Sequence, residues 1–102
     1  MPQGPLLVAN VNLVPQGAKN LSNVSVATLV KGAPGTLLTI SVVTPGSAPG
    51  TVNDVSTVGG AAAGNQIGTI PNTVQTIQFR SPFLTGLVIV PGTGQVLSVA
   101  YV

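Results

Sequence analysis

The 102-residue chain contains no cysteine, no histidine and no tryptophan, and its only charged side chains are Lys19, Lys31, Asp54 and Arg80. Each absence closes a class of chemistry. Without cysteine there is no disulfide framework and no thiolate metal site. With no histidine, no glutamate and a single aspartate, the paired titratable groups of general acid–base catalysis cannot be assembled, and neither can a Ser–His–Asp triad. A serine–lysine dyad using Lys19 or Lys31 is formally available, but no serine lies on a Gly-x-Ser-x-Gly elbow. Hard cations want several oxygen ligands, usually with more than one carboxylate. Asp54 beside Asn53 is the nearest approach, and it reads more simply as a turn or strand-end aspartate bonding nearby backbone amides. The expectation is a chain that is not an enzyme and that holds no metal and no cofactor.

Charge is scarce as well as unbalanced. Charged residues make up 4% of the chain, against about 25% in ordinary globular proteins. The formal net charge of +2 therefore reflects three scattered cations and one anion rather than a basic patch. A nucleic-acid binder typically neutralises about 6–10 phosphates with Lys and Arg, so no nucleic-acid partner is expected. A membrane-spanning helix needs about 18 or more consecutive apolar residues. Here no aliphatic run is longer than the four of Leu87–Val90, and no membrane partner is expected either. Disorder is also disfavoured, because disordered segments are poor in apolar residues and this chain is 44% hydrophobic.

What the chain has in abundance is Thr, Ser, Asn, Gln, Val, and turn formers. Thirteen glycines and nine prolines cut it at short, fairly regular intervals, the pattern of an all-β sandwich or barrel. Strands are predicted at Leu6–Val14, Asn23–Val30, Thr36–Val43, Thr51–Val58, Gln66–Ile70, Thr73–Arg80, Thr85–Val90 and Gln95–Val102. Residues 1–5, with Pro2 and Pro5 around Gly4, read as an extended arm ahead of a single sandwich domain over residues 6–102.

Alternation assigns faces. In the third strand, Thr36, Leu38, Ile40 and Val42 form the more apolar side and are predicted to look inward. In the sixth, Ile77 and Phe79 share a face, with Gln78 and Arg80 opposite. In the last, Leu97, Val99 and Tyr101 oppose Val96, Ser98, Ala100 and Val102. Both of those faces are largely apolar, which predicts cover on two sides. Leu87–Val90 and Gln95–Val102, joined by Pro91–Gly94, read as a hairpin. Ala61–Ala63, bracketed by glycines, is too short to nucleate a helix and is expected to be a flexible loop with room for a single turn.

The remaining motifs are weak. Gly92–Gln95 has a phosphate-loop flavour but lacks the Gly-Lys-Ser/Thr ending and leads into a strand. Asn20–Ser22 and Asn23–Ser25 match the glycosylation sequon, as chance allows in an Asn/Ser/Thr-rich chain. Arg80-Ser81-Pro82-Phe83 is the most individual stretch. It reads either as a strand exit whose Phe83 plugs the core or as a subunit contact, since Arg and aromatic residues are favoured anchors.

The C-terminal part, "NQIGTIP … IQFRSPFLTGLVIVPGTGQVLSVAYV", resembles small all-β proteins encoded among the structural genes of tailed bacteriophages. Ile67, Ile70, Pro82-Phe83, Gly86-Leu87, Val90, Gly92–Gly94 and Val99–Tyr101 carry the likeness. Thr44–Asn65 departs from it, being longer and richer in Gly and Ala. The resemblance implies a virion component and carries over no catalytic residue. The combined expectation is an antiparallel β-sandwich or jelly-roll-like barrel of about eight strands, made in the host cytoplasm without a signal peptide. It would serve as a capsid decoration or cement protein, paired with itself as a homo-oligomer (a trimer first) and with the major capsid protein or another virion protein. A tail or head-fibre base subunit is the neighbouring alternative, and a carbohydrate-binding β-sandwich module the alternative of another class. Pro2, Pro5, Arg80, Phe83 and Tyr101 are the candidate subunit contacts.

Overall fold

The structure, a computed structural model, describes residues 16–102. The expected arm and the expected strand Leu6–Val14 therefore lie outside the described residues. Eight strands follow: β1 (Lys19–Val24), β2 (Thr28–Lys31), β3 (Gly35–Thr44), β4 (Gly50–Asn53), β5 (Gln66–Ile70), β6 (Gln75–Phe83), β7 (Leu87–Val90) and β8 (Val96–Tyr101). They form two four-stranded sheets, ordered β1-β8-β3-β6 and β2-β7-β4-β5, with every pairing antiparallel. First pairs with last, second with seventh, third with sixth and fourth with fifth. That is one long folded-over hairpin rolled into a sandwich, the jelly roll.

The expected all-β sandwich is the architecture found, but the strand count is reached by another route. Asn23–Val30 is not one strand: it divides into the end of β1 and most of β2, in different sheets. Asn23 adopts φ 58°, a left-handed conformation that asparagine tolerates better than most residues. The register of β1 against β8 shifts there. The Thr28 hydroxyl then donates to the Val26 carbonyl at 2.7 Å, closing the crossing between sheets. Thr51–Val58 is shorter than expected, ending at Asn53, because the Asp54 amide donates out of the ladder to the Asn65 carbonyl at 2.8 Å.

The predicted C-terminal hairpin is overturned. β7 pairs with β2 and β4, whereas β8 pairs with β1 and β3. Pro91–Gly94 does make a turn: the Gln95 amide donates to the Gly92 carbonyl at 3.0 Å, and Gly94 takes φ 82°. The turn carries the chain across the gap between sheets instead of back along its own edge. Local turn chemistry is the same in both cases, so the partner is chosen by non-local burial.

The core lies between the sheets. Val24, Leu37, Ile40, Val42, Leu97 and Val99 come from one sheet, Val52, Ile70, Leu87 and Ile89 from the other, and Phe83 joins them from the end of β6. Ile40 and Val42 face inward as the alternation predicts. At the start of β3 both Leu37 and Leu38 are buried, but Leu37 is the one in the central cluster, because the register against both neighbours shifts between Leu37 and Thr39. Arg80, at φ 50°, lies opposite that irregularity in β6. A bulge of this kind re-aims the side chains beyond it. On β8, Leu97 and Val99 are fully buried while Val96, Ser98 and Ala100 are half-buried. Among the described residues, then, β8 has complete cover on its inner face only.

Candidate functional site

The winding gathers the connections into two ends. Residues 25–27, 45–49, 71–74 and 91–95 lie at one end, and residues 32–34, 54–65 and 84–86 at the other, as the strand registers require. The charged side chains are distributed unevenly between them. Lys19 opens β1 opposite Tyr101, Lys31 closes β2 opposite Leu87, Asp54 follows β4, and Arg80 is the sixth of the nine residues of β6. The first three belong to the second end, which also receives Val102, and Arg80 lies in the half of β6 nearer to it. The first end has no charged side chain at all.

Asp54 organises the charged end. Its carboxylate accepts hydrogen bonds from the backbone amides of Leu84 at 2.9 Å, Thr85 at 2.8 Å and Gly86 at 3.3 Å. These groups are about 30 residues away in sequence, so the expectation of a local turn aspartate is corrected: Asp54 is a long-range tie between the β4–β5 and β6–β7 loops. The Leu84 amide chiefly draws the carboxyl below its ordinary pKa, the Thr85 and Gly86 amides add to this, and partial desolvation opposes it. The metal reading of Asp54 gains no neighbours, since the described residues contain no group of three or more His, Cys, Asp or Glu side chains.

The direction of this shift sets a pH dependence. A carboxyl whose folded pKa is depressed stabilises the fold at pH above its unfolded value, about 3.9, and that contribution disappears as pH falls through the folded pKa. Stability is therefore expected to be flat from pH 5 to 9 and to fall below about pH 4. Asp54→Ala, which deletes the acceptor of an exposed, cap-like site, should cost about 1 kcal/mol at pH 7. Thermal unfolding of both proteins from pH 2 to 8 checks this, because the gap between the curves must close at the acid limit. A gap that persists unchanged at pH 2 would mean that the tie does not depend on the carboxylate's charge.

The neutral end is held by amides. Gln95 is fully buried. Its carboxamide oxygen accepts from the Gly92 amide at 2.8 Å, and its nitrogen donates to the Pro71 carbonyl at 2.9 Å. Asn72 accepts from the Gly46 amide at 2.7 Å, and the Ser47 amide donates to the Thr93 carbonyl at 2.8 Å. Loops 45–49, 71–74 and 91–95 are thus cross-linked through uncharged groups. Sequence reasoning missed Gln95, and no local signal marks it: it is one of many glutamines, distinguished only by burial.

Among the described residues, the sheet edges carry all three cations. Lys19 and Arg80 lie on the two edge strands of one sheet, and Lys31 on an edge strand of the other. Charged edges discourage pairing with another chain. The remaining edge, β5, carries no charge, is five residues long and shifts register opposite Val52–Asn53.

Of the expected subunit contacts, Pro2 and Pro5 lie outside the described residues. Phe83 is 1% exposed and belongs to the core, the plug that the sequence offered as the other reading. Tyr101 is half-buried and packs against that core. Arg80 is exposed, as alternation predicted. Tyr101 and Ser81 both pair with Leu37, on opposite sides of β3, so the Arg80 corner and Tyr101 share the charged end. A small open cleft of about 230 Å³ lies between Ala61–Ala63 and the outward residues Thr51, Asn53, Gln66 and Val90. Asn65 pins that loop, accepting from the Ala62 amide at 3.0 Å and donating to the Gly60 carbonyl at 2.8 Å. The loop expected to be flexible thus contains two single 3-10 turns, Val58–Gly60 and Ala63–Asn65. Comparison with family models, with curated proteins and with solved structures gives no match for this chain.

Proposed function

We propose that this protein is a non-catalytic structural subunit of a virion, a decoration or cement protein that sits on an assembled head shell as a symmetric homo-oligomer, a trimer first. The observation that supports it most is the winding, β1-β8-β3-β6 against β2-β7-β4-β5. Jelly rolls of this kind serve viral capsids and lectins. Architecture by itself assigns no function, so surface chemistry has to choose between those uses. A sugar-binding module usually offers exposed aromatic faces. Here Phe83 is buried, and Phe79 and Tyr101 pack against the core, which weighs against that alternative. A surface almost without charge suits packing in many close copies, because self-repulsion is small and neutral contacts lose little to salt screening.

Particles banded from a lysate of the source that carries the gene test the reading, by quantitative mass spectrometry and electron microscopy. The expected result is this chain in fixed, high ratio to the major shell protein, with density on the head surface. A few copies at the tail would transfer the reading to a fibre-base subunit. Absence from particles, or saturable binding on a glycan array, would overturn it.

A further inference from the structure

The sandwich is polarised in charge: one end has no charged side chain, and that end exposes a set of valines. Val26, just past β1, is 69% exposed; Val74, just before β6, is 66% exposed; and Val43, near the end of β3, is 58% exposed. Val96, at the start of β8, is half-buried. In the sheet order β1-β8-β3-β6, these residues place one valine at the neutral end of each strand in turn. The register supports a continuous row, since Val24 pairs with Leu97, Thr44 with Val96, and Val42 with Gln75.

We propose that this valine rim, with the loops behind it, is the surface through which copies of the chain associate, the neutral end of one packing against the same end of the next around a closed symmetry axis. Charge placement selects that occupant. The formal net charge is +2, with Lys19 and Lys31 at the far end, Arg80 in the far half of β6, and no cation at the rim. Copies meeting at their neutral ends keep those cations as far apart as the fold allows. The β1, β2 and β6 edges each carry a cation, and charged edges discourage pairing with another chain. β5, short and irregular, offers few backbone groups for strand addition. The rim is also preorganised. Gln95, Asn72 and the Ser47–Thr93 bond tie the three loops behind it, so little ordering is lost on association. Leu84, 79% exposed, and Val58, 41% exposed, are at the charged end and serve as the internal comparison.

This inference rests on the proposed structural role but tests separately from it. Sedimentation velocity of the full chain, run from about 10 µM to 1 mM at low and high salt, reads the association directly; the range suits an interface at the small end of specific contacts. The expected result is a concentration-dependent oligomer whose association constant changes less than about twofold between the two salts. Val26→Lys combined with Val74→Lys should weaken association by at least about tenfold, because each new ammonium must be desolvated without a partner. Both sites are exposed, and an unchanged melting temperature would show that the variant still folds. Leu84→Lys should leave association within about twofold of the parent, as its site is away from the contact. A monomer throughout the range would overturn the proposal, and so would an oligomer equally weakened by Leu84→Lys or indifferent to the valine substitutions. Association through the rim by a chain absent from particles would leave this inference standing and remove the virion role. The converse pattern would do the reverse.

Discussion

Phe83→Ala is expected to remove about 3–5 kcal/mol of stability, the cost of deleting a large buried aromatic side chain and leaving its cavity. Phe83 is 1% exposed and is among the largest fully enclosed side chains. It closes the core where β6 ends, and its ring tip approaches Gly35, with which it is in register. The surroundings cannot collapse easily, because the Val102 carbonyl also crowds Gly35 beside the ring tip, and Thr36 and Val102 exchange backbone hydrogen bonds at 3.1 and 2.9 Å. For a domain of this size the loss corresponds to a fall in melting temperature on the order of 15–30 °C. Urea denaturation of Phe83→Ala and Phe83→Leu beside the parent measures it, with leucine expected to recover most of the loss. A cost below about 1 kcal/mol would remove Phe83 from the core and return it to the role of a subunit contact.

The second large effect is expected at the neutral end, from Gly92→Ala. A methyl group on Gly92 would run into the Ala48 carbonyl oxygen, and it would also lie 2.6 Å from the Ala48 carbonyl carbon and 2.7 Å from the Pro49 oxygen. Gly46 faces the same difficulty from the Thr93 carbonyl and the Gln95 amide. The obstacles are backbone atoms of adjoining loops, so no rotamer change relieves them. Either the loops separate, breaking the Gln95 bonds, or the variant does not fold. A loss of at least about 3 kcal/mol is expected, above the usual range for overpacking by one methyl. Gly64→Ala is the comparison, since nothing lies within 4 Å of its added methyl. It should be neutral or gain up to about 1 kcal/mol by restricting the unfolded chain. Equal behaviour of the two variants would show that the loop contacts are not close. Hydrogen exchange at the Ser47 and Gln95 amides would locate the damage in Gly92→Ala.

Period-two alternation and turn residues made most of the strands legible. Gln66–Ile70 matches β5, and Thr36–Val43 matches β3 to within a residue at each end, because each is rich in β-branched residues and bounded by turn residues or glycines. Three kinds of information were not local. Asn23–Val30 looks continuous because nothing in "NVSVATLV" announces that Ser25–Ala27 crosses between sheets. The bulge that buries both Leu37 and Leu38 and puts Leu37 in the central cluster depends on the neighbours' registers, and the conformation of Arg80 in β6 accompanies it. The pairing of β8 with β1 and β3, instead of β7, depends on which apolar faces need each other. The candidate site was legible only in outline. Scarcity of charge is visible in composition, but its segregation to one end appears only after the chain is rolled up. The partners of Asp54 and Gln95, like the burial of Gln95, could not be read from residues beside them in sequence.

The pairing of β1 with β8 has a consequence for how the molecule comes into being. Lys19 is in register with Tyr101 and Val24 with Leu97, so the first described strand waits for the last. Among the described residues, only β4 and β5 are both consecutive and paired. Closing such distant pairs requires loop-closure entropy to be met before any contact compensates for it, which places folding in the millisecond-to-second range. On the ribosome, the sheet β1-β8-β3-β6 cannot be completed until β8 has emerged. Until then β7, apolar on both faces, remains without its finished sandwich. The interval between synthesis and closure is when this chain is most exposed to aggregation. Truncation within β8 would remove the strand between β1 and β3, and with it the sheet.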